Sequence, residues 1–175
     1  MGNLAMLILR LVVGGLMAGH GAQKLFGSFG GPGLEGTSGF MEMLGLKPGK
    51  LWAWLAALSE FGGGVLTLLG FLNPLGPIGV IGSMAMATTT AHGGKPIWVT
   101  EGGAELPVTN IAAATALMLN DPGKWSLDGA FGIRLPRLLA PLGLVVVVLA
   151  VMYGGTGGEP EQDEAREGTA GNGEA

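Results

Sequence analysis

Five apolar blocks, at residues 4–26, 51–72, 75–91, 104–119 and 138–153, take up most of the chain and constrain its fold more than any other feature. A helix that crosses a bilayer needs about 20 predominantly apolar residues, because the hydrocarbon core is about 30 Å thick and each residue rises about 1.5 Å. The apolar residues come in long blocks and do not alternate with polar ones, so the expected fold is all-α, a polytopic membrane helical bundle. The fourth and fifth blocks are short, which predicts little tilt, an interfacial start or local thinning of the bilayer. The first block lacks a basic region ahead of its apolar run and is interrupted by Arg10, so it reads as a retained helix and not as a signal peptide.

Composition agrees: 48% of residues are hydrophobic, only 13% are charged, and 35 of 175 are glycine. Cysteine is absent, so the chain forms no disulfide, offers no thiolate ligand and runs no dithiol chemistry itself. Most of the acidity lies after Gly158, in "EPEQDEAREGTAGNGEA". The expected organisation is one integral membrane domain at 1–153 and a disordered, acidic, glycine-rich tail at 154–175.

Trp52, Trp54, Trp98, Trp125 and Tyr153 fall at or near the proposed span ends, where amphipathic rings settle at headgroup depth. Between the first two spans, Phe40, Met41, Met43, Leu44 and Leu46 suggest a short interfacial helix with Ser38 as its N-cap. Basic residues near the span ends divide about evenly between the two faces, so the positive-inside rule does not orient the chain.

The stretch "GHGAQKLFG" closes the first block with His20, Gln23 and Lys24 at i, i+3, i+4, on a single helix face. If the second helix runs back from about residue 51, Glu60 lies roughly 13 Å in, within about one turn of the depth of His20. Arg10 is about 10 Å further toward the opposite surface by the same count, and so a weaker partner. His92, Lys95, Glu101 and Glu105 must return to the same side as the first loop. Stripes of small residues offer close helix approach: Gly15 with Gly19, Ala56 with Glu60 and Gly64, and Gly79 with Ser83, Ala87 and Ala91.

A carboxylate facing lipid is costly, so Glu60 is expected to face the bundle, paired or protonated. It is the first candidate catalytic residue, with His20. Gln23, Lys24, His92 and Glu105 are candidate substrate-binding residues. A fixed bond from Glu60 to His20 or Lys24 that sets helix register is the plainer alternative. His20, His92 and Glu60 could imitate a two-histidine, one-carboxylate metal set, but no local ligand spacing supports one, and no metal is expected. The methionines read as packing residues. No phosphate-binding pattern or basic surface points to nucleic acid.

Taken in order, "GHGAQKLFG", "LSEFGGGVLTLLG", "EGGAELP" and "DPGKWSLDGAFG" resemble the DoxX family of small bacterial membrane proteins, related to the DoxD-type subunit of thiosulfate:quinone oxidoreductase. The resemblance covers about residues 4–132. It implies a four-helix bundle in the bacterial plasma membrane, multi-pass, to which this chain adds a fifth transmembrane helix and the acidic tail. It also implies a membrane component of a redox system that handles thiosulfate, thiols or quinone, often beside a soluble oxidoreductase partner.

The residues are compatible with that function. A quinone needs hydrogen-bond partners for its carbonyls and a proton route, which His20, Gln23 and Lys24 would offer as donors and Glu60 as relay. No cofactor fingerprint accompanies them, so a quinone would be substrate and no intrinsic cofactor is expected. Two other classes remain open. One is a non-enzymatic anchor or accessory subunit, docking a soluble oxidoreductase or a second copy in a homo-oligomer. The other is a small proton-coupled transporter. Asp121, Lys124 and Asp128 read as turn and cap residues.

Overall fold

The computed structural model describes residues 2–155; of the tail expected at 154–175, Gly154 and Gly155 belong to the last helix and the rest lies outside the described residues. The described chain is helical, with no strand among its residues. Seven α-helices follow one another: α1 (Gly2–Phe26), α2 (Gly33–Met43), α3 (Gly49–Leu69), α4 (Leu75–Thr90), α5 (Glu105–Leu119), α6 (Leu127–Phe131) and α7 (Leu139–Gly155). The five apolar blocks thus become α1, α3, α4, α5 and α7, with ends that shift by only a few residues. α1 and α3 are long and apolar enough to cross a membrane. α4, α5 and α7, at 16, 15 and 17 residues, span about 22 to 26 Å at 1.5 Å per residue.

α1, α3, α4 and α5 form a closed ring in which each packs on the next and α5 returns to α1. Val13 and Met17 of α1, Val80, Ile81 and Met84 of α4, and Ala114, Leu117 and Met118 of α5 fill its centre. α2 lies against α3 and α1, and α7 is laid on the outside of α4. The outer surface is strongly apolar, with Leu4, Ile8 and Leu16 of α1, Leu55 and Leu58 of α3, and Val145, Val148 and Leu149 of α7 all exposed. Arg10, Glu60, Thr67 and Ser83 are buried instead. Charges inside and leucines outside is the distribution of a helical membrane bundle, where lipid and not water covers the surface.

The tightest crossing is α1 on α3. A Cβ on Gly14 would overlap the backbone of Leu68, one on Gly21 the backbone of Phe61, and one on Gly64 the backbone of Ala18. The seam on α1 is therefore Gly14, Ala18 and Gly21. Gly15 and Gly19, expected to be the packing pair, have open space where a Cβ would go. One residue is about 100° of helix rotation, enough to carry a correctly spaced glycine pair off the interface.

Two local expectations are also corrected. α2 begins at Gly33, after Pro32, so Ser38 is inside the helix and caps nothing. Trp52 is buried and stacks on Tyr153 with ring centroids 6.2 Å apart, so it packs inside instead of anchoring in the headgroups. Trp98, Trp125 and Tyr153 are exposed near element ends, as anchoring rings are.

Candidate functional site

The close approach of Gly21 to Phe61 fixes the neighbourhood of Glu60. Lys24 follows Gly21 by three residues and so projects from the same face of α1, toward the turn of α3 that carries Glu60. Lys24 Nζ donates to Glu60 Oε1 in an ion pair. Glu60 is 2% exposed, and its other oxygen, Oε2, is buried without a hydrogen-bond partner. Phe26 and Phe61 meet edge to face at 5.4 Å beside the pair.

Lys24 and Glu60 border a cavity of about 420 Å³ between α2, α3, α4 and α7. The rest of its wall is mostly apolar, with Met41, Leu46, Trp52, Met86 and Val147 prominent, and Ser59, Ser83 and Thr90 contributing hydroxyls. Of these, Ser83 donates to Val80 O at 3.1 Å and Thr90 to Met86 O at 2.8 Å, so neither hydroxyl proton is free. The small residues of α4, Gly79, Ser83, Ala87 and Ala91, line this cavity along with Ala56 of α3. Much of that stripe leaves space instead of bringing helices together, although Gly79 also sits close to Ser59 and Gly63.

The other candidates are placed differently. His20 is exposed, and its Nδ1 donates to Gln23 Oε1 at 3.2 Å. His92 Nδ1 donates to Gly102 O at 2.6 Å, and Glu105 Oε2 accepts from Val99 N at 2.9 Å. These last two bonds stitch the α4–α5 connection to itself. None of His20, Gln23, His92 and Glu105 lines the cavity. The structure thus brings Lys24 and Glu60 together, pairs His20 with Gln23, and holds His92 and Glu105 in a loop. Among the described residues, no three His, Asp or Glu side chains gather in a way that could hold a metal ion.

A second buried charge cluster lies at the opposite end. Arg10 is 3% exposed, and its Nη2 donates to Trp125 O at 2.6 Å. Asp128 attracts it electrostatically while accepting from the backbone N–H groups of Leu72 and Asn73, both at 2.8 Å. Gly70, with φ +60°, makes room: a Cβ there would overlap the Arg10 guanidinium. The contact clamps α1, the α3–α4 turn and the segment before α6. Asp121 Oδ1 accepts from Gly123 N at 2.8 Å, a turn bond. Sequence reasoning places Arg10 only as a distant partner for Glu60 and misses this clamp. The signal that could find it is that a lone arginine in an apolar helix requires acceptors at its own depth, which "KWSLD" supplies.

Comparison with known proteins matches residues 5–93 to the DoxX family model. That range runs from α1 past the end of α4 and includes His20, Gln23, Lys24, Glu60 and His92, whereas Glu105, α5, α6 and α7 fall outside it. The search of curated proteins and the search of solved structures return no match. An apolar-surfaced helical ring, built on helices able to cross a membrane and matched by the family over residues 5–93, makes this chain a membrane protein of the DoxX family.

Proposed function

We propose that the cavity beside Glu60 receives a membrane-borne quinone, and that the protein is the membrane component of a redox system oxidising thiols or thiosulfate. The observation that carries this reading is the unpartnered Oε2 of a buried glutamate at the edge of a largely apolar cavity. A quinone has matching polarity, a polar ring on a long hydrocarbon tail, and the hydroxyls it gains on reduction would donate to Oε2. Lys24 Nζ would donate to one carbonyl and Glu60 would pass protons to the reduced ring, while the tail lies along Met41, Leu46, Met86 and Val147.

The balance needs a donor. Two thiols that join as a disulfide release two electrons and two protons, which is what one quinone takes up on becoming a quinol. Because the chain has no cysteine, thiol oxidation belongs to a soluble oxidoreductase partner at the membrane surface. In this reading the protein is multi-pass in a bacterial plasma membrane, with α1, α3, α4, α5 and α7 crossing.

The ion pair itself favours a second reading, a non-enzymatic accessory subunit in which Lys24 and Glu60 simply lock α1 to α3. Quinone reduction by protein in lipid, with thiol or thiosulfate donor and partner present, separates the two when wild type is compared with Glu60→Gln. A fall of about a hundredfold or more, in a variant that assembles and unfolds like wild type, is expected for a proton relay. Unchanged turnover per assembled complex would support the accessory role and overturn the quinone site.

A further inference from the structure

We propose that a groove at the end of the bundle opposite Lys24 and Glu60 binds the phosphate of an anionic phospholipid headgroup. The groove encloses about 620 Å³ between the start of α1 and residues 120–134, with Lys124 and Arg134 in its wall. Arg134 also borders an adjoining hollow of about 350 Å³ whose wall includes Arg137. All three basic side chains are exposed, and among the described residues none has a carboxylate within ion-pair distance.

Of the two acids that share the groove, Asp128 is engaged at both oxygens, while Asp121 keeps its charge in the wall. Both Asp128 oxygens accept backbone N–H groups and the carboxylate faces Arg10, and Asp121 Oδ1 accepts from Gly123 N. Lys124, Arg134 and Arg137 outnumber that one charge and keep unused N–H donors. Two arginines suit a phosphodiester, because each guanidinium can grip two oxygens at once.

The surroundings distinguish a lipid from a soluble phosphate. Leu119, Trp125, Phe131 and Leu138 are all at least 60% exposed, and they flank the basic residues in sequence. A tryptophan and arginines at the ends of apolar helices sit at headgroup depth, where the acyl chains of a bound lipid would cover the leucines and the phenylalanine. A free phosphate gains nothing from that apolar rim.

The test titrates phosphatidylglycerol and phosphatidylcholine onto the full-length protein in neutral detergent, with retained lipid read by native mass spectrometry. Wild type is expected to prefer phosphatidylglycerol, and Arg134→Gln/Arg137→Gln to weaken that binding about thirtyfold. Lys47→Gln/Lys50→Gln, exposed charges at the other end, should leave it unchanged. Equal phosphatidylglycerol binding by wild type and the folded arginine variant overturns the proposal. So does inorganic phosphate that displaces phosphatidylglycerol as effectively as added lipid does, since it would assign the groove to a soluble anion. If the double variant does not fold, Lys124→Gln alone is read in its place, with a loss of about fivefold expected and no loss contradicting the site.

Discussion

Arg10 and Glu60 are both charges inside an apolar bundle, and each keeps buried atoms without a hydrogen-bond partner, Nε and Nη1 on Arg10 and Oε2 on Glu60, but their surroundings differ. Arg10 donates to the Trp125 carbonyl and is attracted by Asp128, whose carboxylate braces the α3–α4 turn. Glu60 has one oxygen in an ion pair and one facing no partner. The first arrangement is a clamp, and its loss should appear as instability. Asp128→Ala would leave the N–H groups of Leu72 and Asn73 without their acceptor and remove the carboxylate that attracts Arg10, a cost of about 2–4 kcal/mol. Thermal unfolding in detergent checks this, with quinone affinity of the surviving folded fraction expected to stay at the wild-type value. Glu60 was legible in the sequence because helix rise alone set its depth beside the end of the first span. The Arg10 clamp was not, because its partners lie far along the chain, with Trp125 115 residues away, and pattern cannot give their lateral position.

Elements were the most legible level, since apolar blocks of bilayer length have few alternatives to being helices. Their rotational phase was less so. A GxxxG spacing identifies a smooth strip on a helix without saying that the strip faces a neighbour, and here the seam runs through Gly14 and Gly21 instead of Gly15 and Gly19. Gly21→Ala and Gly64→Ala are therefore expected to destabilise the bundle by about 1–3 kcal/mol each through overpacking against backbone. Gly15→Ala and Gly19→Ala should be close to neutral. Unfolding midpoints of the four variants decide the matter, and equal losses at all four would contradict the assigned seam. The same limit explains Trp52, whose sequence position at a span end says nothing of the Tyr153 ring that covers it.

At the scale of the whole molecule, a four-helix ring carries α7 on its outside, and α7 closes the cavity beside Glu60 with Val146, Val147 and Ala150. The sequence predicted a fifth helix but not where it docks, because a segment apolar on all sides has no preferred face. The absence of cysteine makes the proposed multi-pass arrangement simple to check. Lys95→Cys and Lys124→Cys, made singly, should react with an impermeant thiol reagent from opposite sides of sealed vesicles, and labelling of both from the same side would contradict that arrangement.

If a quinone occupies the cavity bordered by Lys24 and Glu60, filling that cavity must exclude it. Equilibrium binding of a short-tailed quinone to the purified full-length protein measures this, with Ala87→Trp filling the cavity wall and Val148→Trp, at an exposed position on α7, as the control. Wild type and Val148→Trp are expected to bind the quinone alike, while Ala87→Trp loses most of the affinity without losing the fold. Undiminished binding by a folded Ala87→Trp variant would contradict the assignment of the cavity.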